Sequence, residues 1–167
     1  MKKIYFIIIV IVIKTNTLFA QEEEHIKNHF SIGIESSYPL GLFGQVYSFG
    51  IGASAQANFA IGKQTNVIIN AGYINYILNK TYGTGGDGYF PLLNGIEQDF
   101  LRKFFASVQL GTTFRIHGLG NAFTYAPGIG VKLGKNFSAL LKYVGQIKSA
   151  INSGALGLRV AYVFGND

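Results

Sequence analysis

The sequence predicts an all-β protein, an eight-stranded antiparallel up-and-down transmembrane β-barrel. Three observations carry this prediction: apolar residues alternate with small or polar ones, every second connection between the alternating segments is short, and charge is scarce. Charged residues make up 13% of the 167 residues, whereas hydrophobic residues make up 49%. A soluble domain carries about 25% charged residues. The composition therefore argues against an ordinary soluble enzyme and against a disordered chain.

The first 20 residues have the layout of a secretory signal peptide. Lys2 and Lys3 precede the unbroken apolar run 4–13, and Ala20 precedes Gln21. A basic start, an apolar stretch and a small residue at the cleavage position define such a peptide, and the run is shorter than the roughly 20 residues of a spanning helix. A retained anchor is the alternative. The expected organisation is a cleaved signal peptide at 1–20, a periplasmic leader at 21–28 and a barrel domain at 29–167.

The positive charge of the chain lies partly in this peptide. Cleavage after Ala20 also removes Lys14 and lowers the formal net charge from +6 to +3. We therefore expect no nucleic-acid partner. The chain has no cysteine, which excludes a disulfide framework and a cysteine-based metal site.

The remaining chain alternates with a period of two residues, which is typical of strands with one apolar face. From Phe49 to Gly62, odd positions are apolar and even positions are small or polar. The segments 104–115 and 156–165 repeat the pattern. The fourth segment is the weakest, because Asn94 and Gln98 fall on its apolar face. The predicted strands are 29–38, 47–62, 66–78, 89–100, 103–115, 121–133, 136–148 and 154–164.

The connections alternate in length, as expected for a meander with two different ends. The short ones are 62–65, 101–102 and 134–135. The intervening ones, at 39–46, 79–88, 117–120 and around 149–153, are mostly longer.

The composition of the non-apolar face of the strands decides which face points out of the barrel. It is rich in Gly, Ser, Asn and Gln but poor in charge, so it suits a narrow interior better than a surface in water. Transmembrane barrels have apolar residues outside and polar residues inside, on strands of about ten residues. A soluble lipocalin-like barrel is the alternative. The predicted surroundings of the apolar face are therefore outer-membrane lipid.

Aromatic residues lie near both ends of the strands on the apolar face, where membrane barrels carry aromatic girdles. With both termini in the periplasm, the periplasmic girdle is Phe30, Phe59, Phe100, Phe104, Phe137 and Phe164, and the external girdle is Tyr38, Phe49, Phe90, Phe114 and Phe123.

Several segments resemble the outer-membrane β-barrel domain family of Bacteroidota, the PorT-like small outer membrane proteins. These segments are Tyr89 to Gly95, Phe104-Phe105 leading to Gly111, Phe123 to Gly130, Lys135 to Phe137, Leu141 to Tyr143 and Leu158 to Phe164. The resemblance implies a barrel in the outer membrane, inserted by the outer-membrane insertion machinery. It implies no particular activity, because the family is diverse and shares no catalytic motif.

Few ionisable residues have the parity of the barrel interior. Near mid-height, strand one contributes Glu35, strand seven Lys142 and strand eight Arg159. These strands become neighbours only when the barrel closes. Because an unpaired charge is costly in a poorly hydrated lumen, we expect a Glu35–Arg159 pair with Lys142 close by. The sequence favours a structural role that fixes closure over a gate or proton path.

The sequence predicts no catalytic, cofactor-binding or metal-binding residues. A lipid-modifying enzyme needs a nucleophile and base with a histidine near the membrane surface. The histidines His25 and His29 lie at the periplasmic start, and His117 lies alone in an external connection. Asp87 lies among glycines in what is predicted to be a flexible external loop, and one carboxylate is too few for calcium.

Three functions stay open. The first is a non-enzymatic outer-membrane barrel with a side-chain-filled lumen, which stabilises the envelope or binds an extracellular protein partner through its external loops. The second is an accessory component of a protein secretion or export system, and the third, the least favoured, is a lipid-modifying enzyme. An eight-stranded barrel is filled by its own side chains, so a general porin is excluded.

Overall fold

The computed structural model describes residues 28–116, 120–148 and 151–164. In these residues the backbone forms eight strands and one short α-helix. The strands are β1 (His29–Leu40), β2 (Tyr47–Ala60), β3 (Thr65–Leu78), β4 (Gly86–Leu101), β5 (Phe104–Arg115), β6 (Asn121–Leu133), β7 (Phe137–Lys148) and β8 (Ile151–Phe164), and helix α1 is Gly41–Val46. The predicted signal peptide and nearly all of the predicted leader lie outside the described residues.

The strands form one closed antiparallel barrel in sequence order. Each strand pairs with the next, and β1 closes the barrel against β8, with Phe30 opposite Phe164 and Leu40 opposite Gly154. This confirms the predicted eight-stranded up-and-down barrel. Closure gives every strand two neighbours and removes the free edges of an open sheet.

The alternation in the sequence separates the two faces of the barrel wall. Along β1, Ile32 and Ile34 are 51% and 67% exposed on the outside, whereas Ser31 and Glu35 are nearly fully buried inside. All the aromatic residues of the two predicted girdles are on the outer face. The outside is therefore a predominantly apolar surface, as expected for a wall in contact with hydrocarbon.

The two ends of the barrel differ. At the short-turn end, the connections 61–64, 102–103 and 134–136 are tight, and Gly134 adopts a left-handed φ of 75°. Both β1 and β8 place their terminal ends here. The opposite end, called the helix end, carries α1 and the connection 79–85. In the described part of the chain, no helix is long and apolar enough to cross a membrane.

Helix α1 covers the opening at the helix end. Its Phe43 packs against the rings of Tyr47 and Tyr76, with ring centroids 4.8 and 4.9 Å away. The Asn79 side-chain amide donates hydrogen bonds to the carbonyl oxygens of Gly44 and Gln45, at 3.0 and 2.7 Å. The segment 39–46 was predicted as a loop. It consists instead of the last two residues of β1 followed by helix α1, which these contacts hold in place. Six residues are too few to show a helical period in the sequence.

Two other predicted connections are shorter than expected. Strand β4 begins at Gly86, where the sequence predicted 89, so Asp87 belongs to a strand and the prediction of a flexible loop for it was wrong. Strand β8 begins at Ile151, which leaves only 149–150 between β7 and β8. In both cases the end of the strand consists mainly of glycine or polar residues and lacks the apolar alternation that predicts a strand. Backbone pairing at the rim of the barrel needs no apolar side chains.

Candidate functional site

The interior at mid-height holds a four-residue cluster, here called the seam cluster: Glu35, Ser54, Lys142 and Arg159. Lys142 Nζ lies 3.0 Å from Glu35 Oε2, and Arg159 Nε lies 3.7 Å from Glu35 Oε1. Ser54 Oγ donates to Glu35 Oε1 at 2.7 Å and accepts a hydrogen bond from Arg159 Nε at 2.8 Å. The structure therefore brings together all three residues that the sequence singled out, with Ser54 as a bridge that the sequence did not reveal.

Strand register positions this cluster. Glu35 and Arg159 face each other across the β1–β8 closure. Lys142 lies on β7 opposite Gly157, and Ser54 lies on β2. The cluster thus extends over four consecutive strands, with the closing pair in the middle.

Two glycines make room for the two long cations. A Cβ at Gly33 would lie 3.0 Å from Arg159 Nε, and one at Gly157 would lie 3.3 Å from Lys142 Cγ. Any larger side chain at Gly33 would push against the guanidinium and the neighbouring β8 backbone. These inward-facing glycines explain part of the high glycine content of the chain.

The charges of the seam cluster are almost completely removed from solvent. The side chains of Lys142, Glu35 and Arg159 are 5%, 3% and 3% exposed. The Arg159 Nη2 group also donates to Ser31 Oγ at 3.0 Å and to the Ser31 carbonyl oxygen at 3.4 Å. Because buried charges are tolerated only when they are paired and hydrogen-bonded, the cluster is stable as a unit and costly to break.

A second polar network lies nearer the short-turn end. Asn58 Nδ2 donates to Glu97 Oε1 at 2.9 Å, and Gln56 Nε2 donates to Asn58 Oδ1 at 2.9 Å. Asn70 Nδ2 donates to Gln56 Oε1 at 3.3 Å. The network joins β2, β3 and β4 and places amide side chains in this part of the lumen.

Each rim of the barrel carries an ion pair that the sequence analysis missed. At the helix end, Arg115 Nη2 lies 2.5 Å from Asp87 Oδ2, and the Tyr47 hydroxyl donates to the same carboxylate. At the short-turn end, Lys132 Nζ lies 2.6 Å from Asp99 Oδ2. Both aspartates share the odd, inward parity of Glu97 along β4. The alternation along β4, extended to both ends of the strand, would have predicted that both aspartates point into the barrel.

The lumen has little free space. One cavity of about 70 Å³ opens toward the short-turn end between Glu97, Phe105 and Lys132. A second of about 20 Å³ lies between Glu35, Tyr76 and Lys142. A single water occupies roughly 10–15 Å³ on this measure, so these cavities hold a few water molecules and no solute of metabolite size.

The structure gathers no catalytic constellation in the part of the chain that it describes. There, no three His, Asp or Glu residues are placed to hold a metal ion. His29 lies at the start of β1, while His25, His117 and Ser149 fall outside the described residues. The charged side chains of the seam cluster at mid-height instead pair with one another.

These features define a class: a small, closed eight-stranded barrel of transmembrane type, apolar outside and polar inside. Solved structures of the same architecture support that assignment. Ail, the attachment invasion locus protein of Yersinia pestis, superposes with a TM-score of 0.59 at 14% identity, over 82% of this chain and 97% of Ail. The N-terminal β-barrel domain of Pseudomonas aeruginosa OprF superposes with a TM-score of 0.57 at 14% identity, over 83% and 98%.

A de novo designed transmembrane β-barrel also superposes, with a TM-score of 0.55 at 10% identity over 86% of this chain and 99% of the design. At such identities the likeness is one of fold. No protein-family model and no curated protein matches the chain.

Proposed function

We propose that the protein is a small non-enzymatic integral protein of the outer membrane, which stabilises the envelope or binds an extracellular protein through the connections at its helix end. The observation that carries the proposal is the inverted distribution of polarity. Exposed Ile, Leu, Val and Phe side chains cover the outside, whereas Glu, Lys, Arg, Asn and Gln are buried inside. Lipid is the solvent in which this distribution is favourable.

The ends of the barrel suggest its orientation. Both β1 and β8 place their terminal ends at the short-turn end. Bacterial barrels have short periplasmic turns and longer external connections, so we assign this end and both termini to the periplasm. Insertion would then use the outer-membrane insertion machinery, with a cleaved signal peptide at 1–20.

A role as an accessory component of a secretion or export system is the second candidate. It is favoured by the resemblance of segments such as Phe123 to Gly130 and Leu158 to Phe164 to PorT-like proteins. Purification from native membranes after mild cross-linking distinguishes this role from the first proposed function, because a component of an export system co-purifies with a fixed set of envelope proteins. We propose no lipid-modifying activity.

Membrane fractionation with a gel-shift assay tests the proposal. We expect the protein in the outer-membrane fraction and resistant to extraction by alkaline carbonate. Unboiled samples should migrate faster than boiled ones, because a closed barrel resists detergent unfolding. A soluble product, or one recovered with the inner membrane, would overturn the proposed location.

A further inference from the structure

A polar side chain lies within the lipid-facing surface of β4. Asn94 is exposed on the outer face of β4, between Leu92 and Ile96, which are 47% and 53% exposed. Its cross-strand neighbours on the same face are Ile69 of β3 and Leu110 of β5. The amide is therefore surrounded by aliphatic side chains.

Asn94 lies near the middle of the apolar band. The girdle residues of β4 are Phe90 and Phe100, both exposed on the same face. With a rise of about 3.4 Å per residue and a tilt near 45°, these rings are about 24 Å apart along the membrane normal, and Asn94 lies about 10 Å from the level of Phe90. Lipid headgroups and water are out of reach of the side chain.

Two other polar residues of the outer face, Ser36 and Gln98, have hydrogen-bond partners within the barrel wall. Ser36 Oγ donates to the Leu158 carbonyl oxygen at 3.5 Å, and Gln98 Oε1 accepts from Thr65 Oγ1 at 2.6 Å. Within the described residues, no side chain or backbone group hydrogen-bonds the Asn94 amide. A hydrocarbon environment offers neither donors nor acceptors, so leaving this amide unpaired there is costly.

We propose that the β3–β4–β5 face around Asn94 is a dimerisation surface, and that a second copy of this chain occupies it. Two copies inserted in the same direction are related by a two-fold axis along the membrane normal, which brings each residue to the depth of its counterpart. A side-chain amide has both a donor and an acceptor. Two Asn94 amides at one depth therefore exchange two hydrogen bonds, as an isologous interface requires.

The neighbouring residues suit close approach of two walls. Ala71 on β3 and Thr112 on β5 both lie opposite Leu92. Their side chains are shorter than those of Leu92 and Ile96 beside the amide. Small residues beside a polar group allow two membrane segments to pack closely.

Energy transfer between copies in lipid vesicles tests the proposal, which rests on the proposed membrane location. The chain has no cysteine, so Thr84→Cys in the exposed connection between β3 and β4 provides one labelling site. We expect the efficiency of energy transfer to rise with the protein-to-lipid ratio as a monomer–dimer equilibrium requires. In an Asn94→Leu background, dimer affinity should fall about tenfold, because two amide hydrogen bonds are lost.

The matched control is Asn75→Leu. Asn75 is also on the outer face, but its partner Gly88 lies two residues beyond Phe90, so it reaches the headgroup level. This control should leave the affinity unchanged. All variants are first checked for the gel shift of a folded barrel, so a failure to insert is distinguished from a failure to dimerise.

Thiol cross-linking identifies the face. Ile96→Cys should cross-link with a bifunctional thiol reagent of about 10 Å span, because two residues along a tilted strand place it about 5 Å from the two-fold axis, whereas Leu158→Cys on β8, on the opposite side of the barrel, should not. Energy transfer no higher than for randomly distributed monomers, equal affinity with Asn94→Leu, or equal cross-linking at the two positions would each overturn the proposal.

Discussion

At the residue scale, the seam cluster shows how few charges a narrow lumen accepts. Glu35 pairs with two cations and accepts a hydrogen bond from Ser54, while Arg159 finds further acceptors on Ser31. Removing Glu35 leaves both cations buried without their carboxylate partner. The cluster therefore contributes less through the strength of each pair than through the penalty for disrupting it.

Glu35→Ala tests this reasoning. The substitution leaves Lys142 and Arg159 facing each other without a carboxylate, so we expect a loss of about 3–5 kcal/mol in the free energy of unfolding. The measurement is the urea midpoint of the barrel refolded into lipid vesicles. Ser36→Ala, the adjacent outward residue, is the control and should change the midpoint little. An unchanged midpoint for Glu35→Ala would contradict a role in closure.

At the element scale, helix α1 is the part of the fold that depends most on contacts from elsewhere. It is six residues long. Its N-cap residue Leu40 makes no side-chain capping hydrogen bond, and its first turn contains no acidic residue. Helices of this length are unstable in isolation. Asn79 and the aromatic rings beneath Phe43 therefore hold α1 over the opening.

Asn79→Ala should release α1 without unfolding the barrel. Two side-chain hydrogen bonds are lost, each with a net contribution of about 1 kcal/mol, so amide hydrogen exchange in residues 41–46 should accelerate roughly tenfold or more. Mass spectrometry of the folded protein in detergent measures this exchange. Asn75→Ala is the control, and equal exchange in both variants would show that Asn79 does not anchor the helix.

At the scale of the whole molecule, the barrel is a closed wall around a filled interior. The seam cluster spans β7, β8, β1 and β2, the amide network spans β2 to β4, and aromatic rings under α1 fill the helix end. The two cavities described above, of about 70 and 20 Å³, have no lining residue in common. This arrangement follows from eight strands, whose interior is just wide enough for side chains.

Planar bilayer recordings should therefore show no stepwise conductance above background at neutral pH. Phe43→Ala, which removes the ring over the opening, should still not conduct, because the seam cluster blocks the lumen below it. Refolded barrel is confirmed by its gel shift before each recording. Discrete openings in the wild-type protein would show that the lumen is not filled as described.

The fold and the assignment of faces could be predicted from the amino-acid pattern, because a period of two residues in eight segments joined by alternately short connections leaves few alternatives. Parity also predicted which charges point inward, so Glu35, Lys142 and Arg159 could be placed together before closure was seen. Parity carries no information on what a side chain touches. Ser54, Asp87 and Asp99 acquired their partners only through the positions of neighbouring strands in the closed barrel.

The construction of the barrel ends and the surroundings of the polar residues on its outer face became visible only in the folded barrel. Helix α1 forms because Phe43 finds aromatic rings from β2, β3 and β4, and such contacts leave no local period in the sequence. In the sequence, Asn94 only interrupts the apolar alternation of the fourth predicted strand. In the closed barrel it is an unpaired amide in an apolar band, since the depth and neighbours of a residue are properties of the assembled wall.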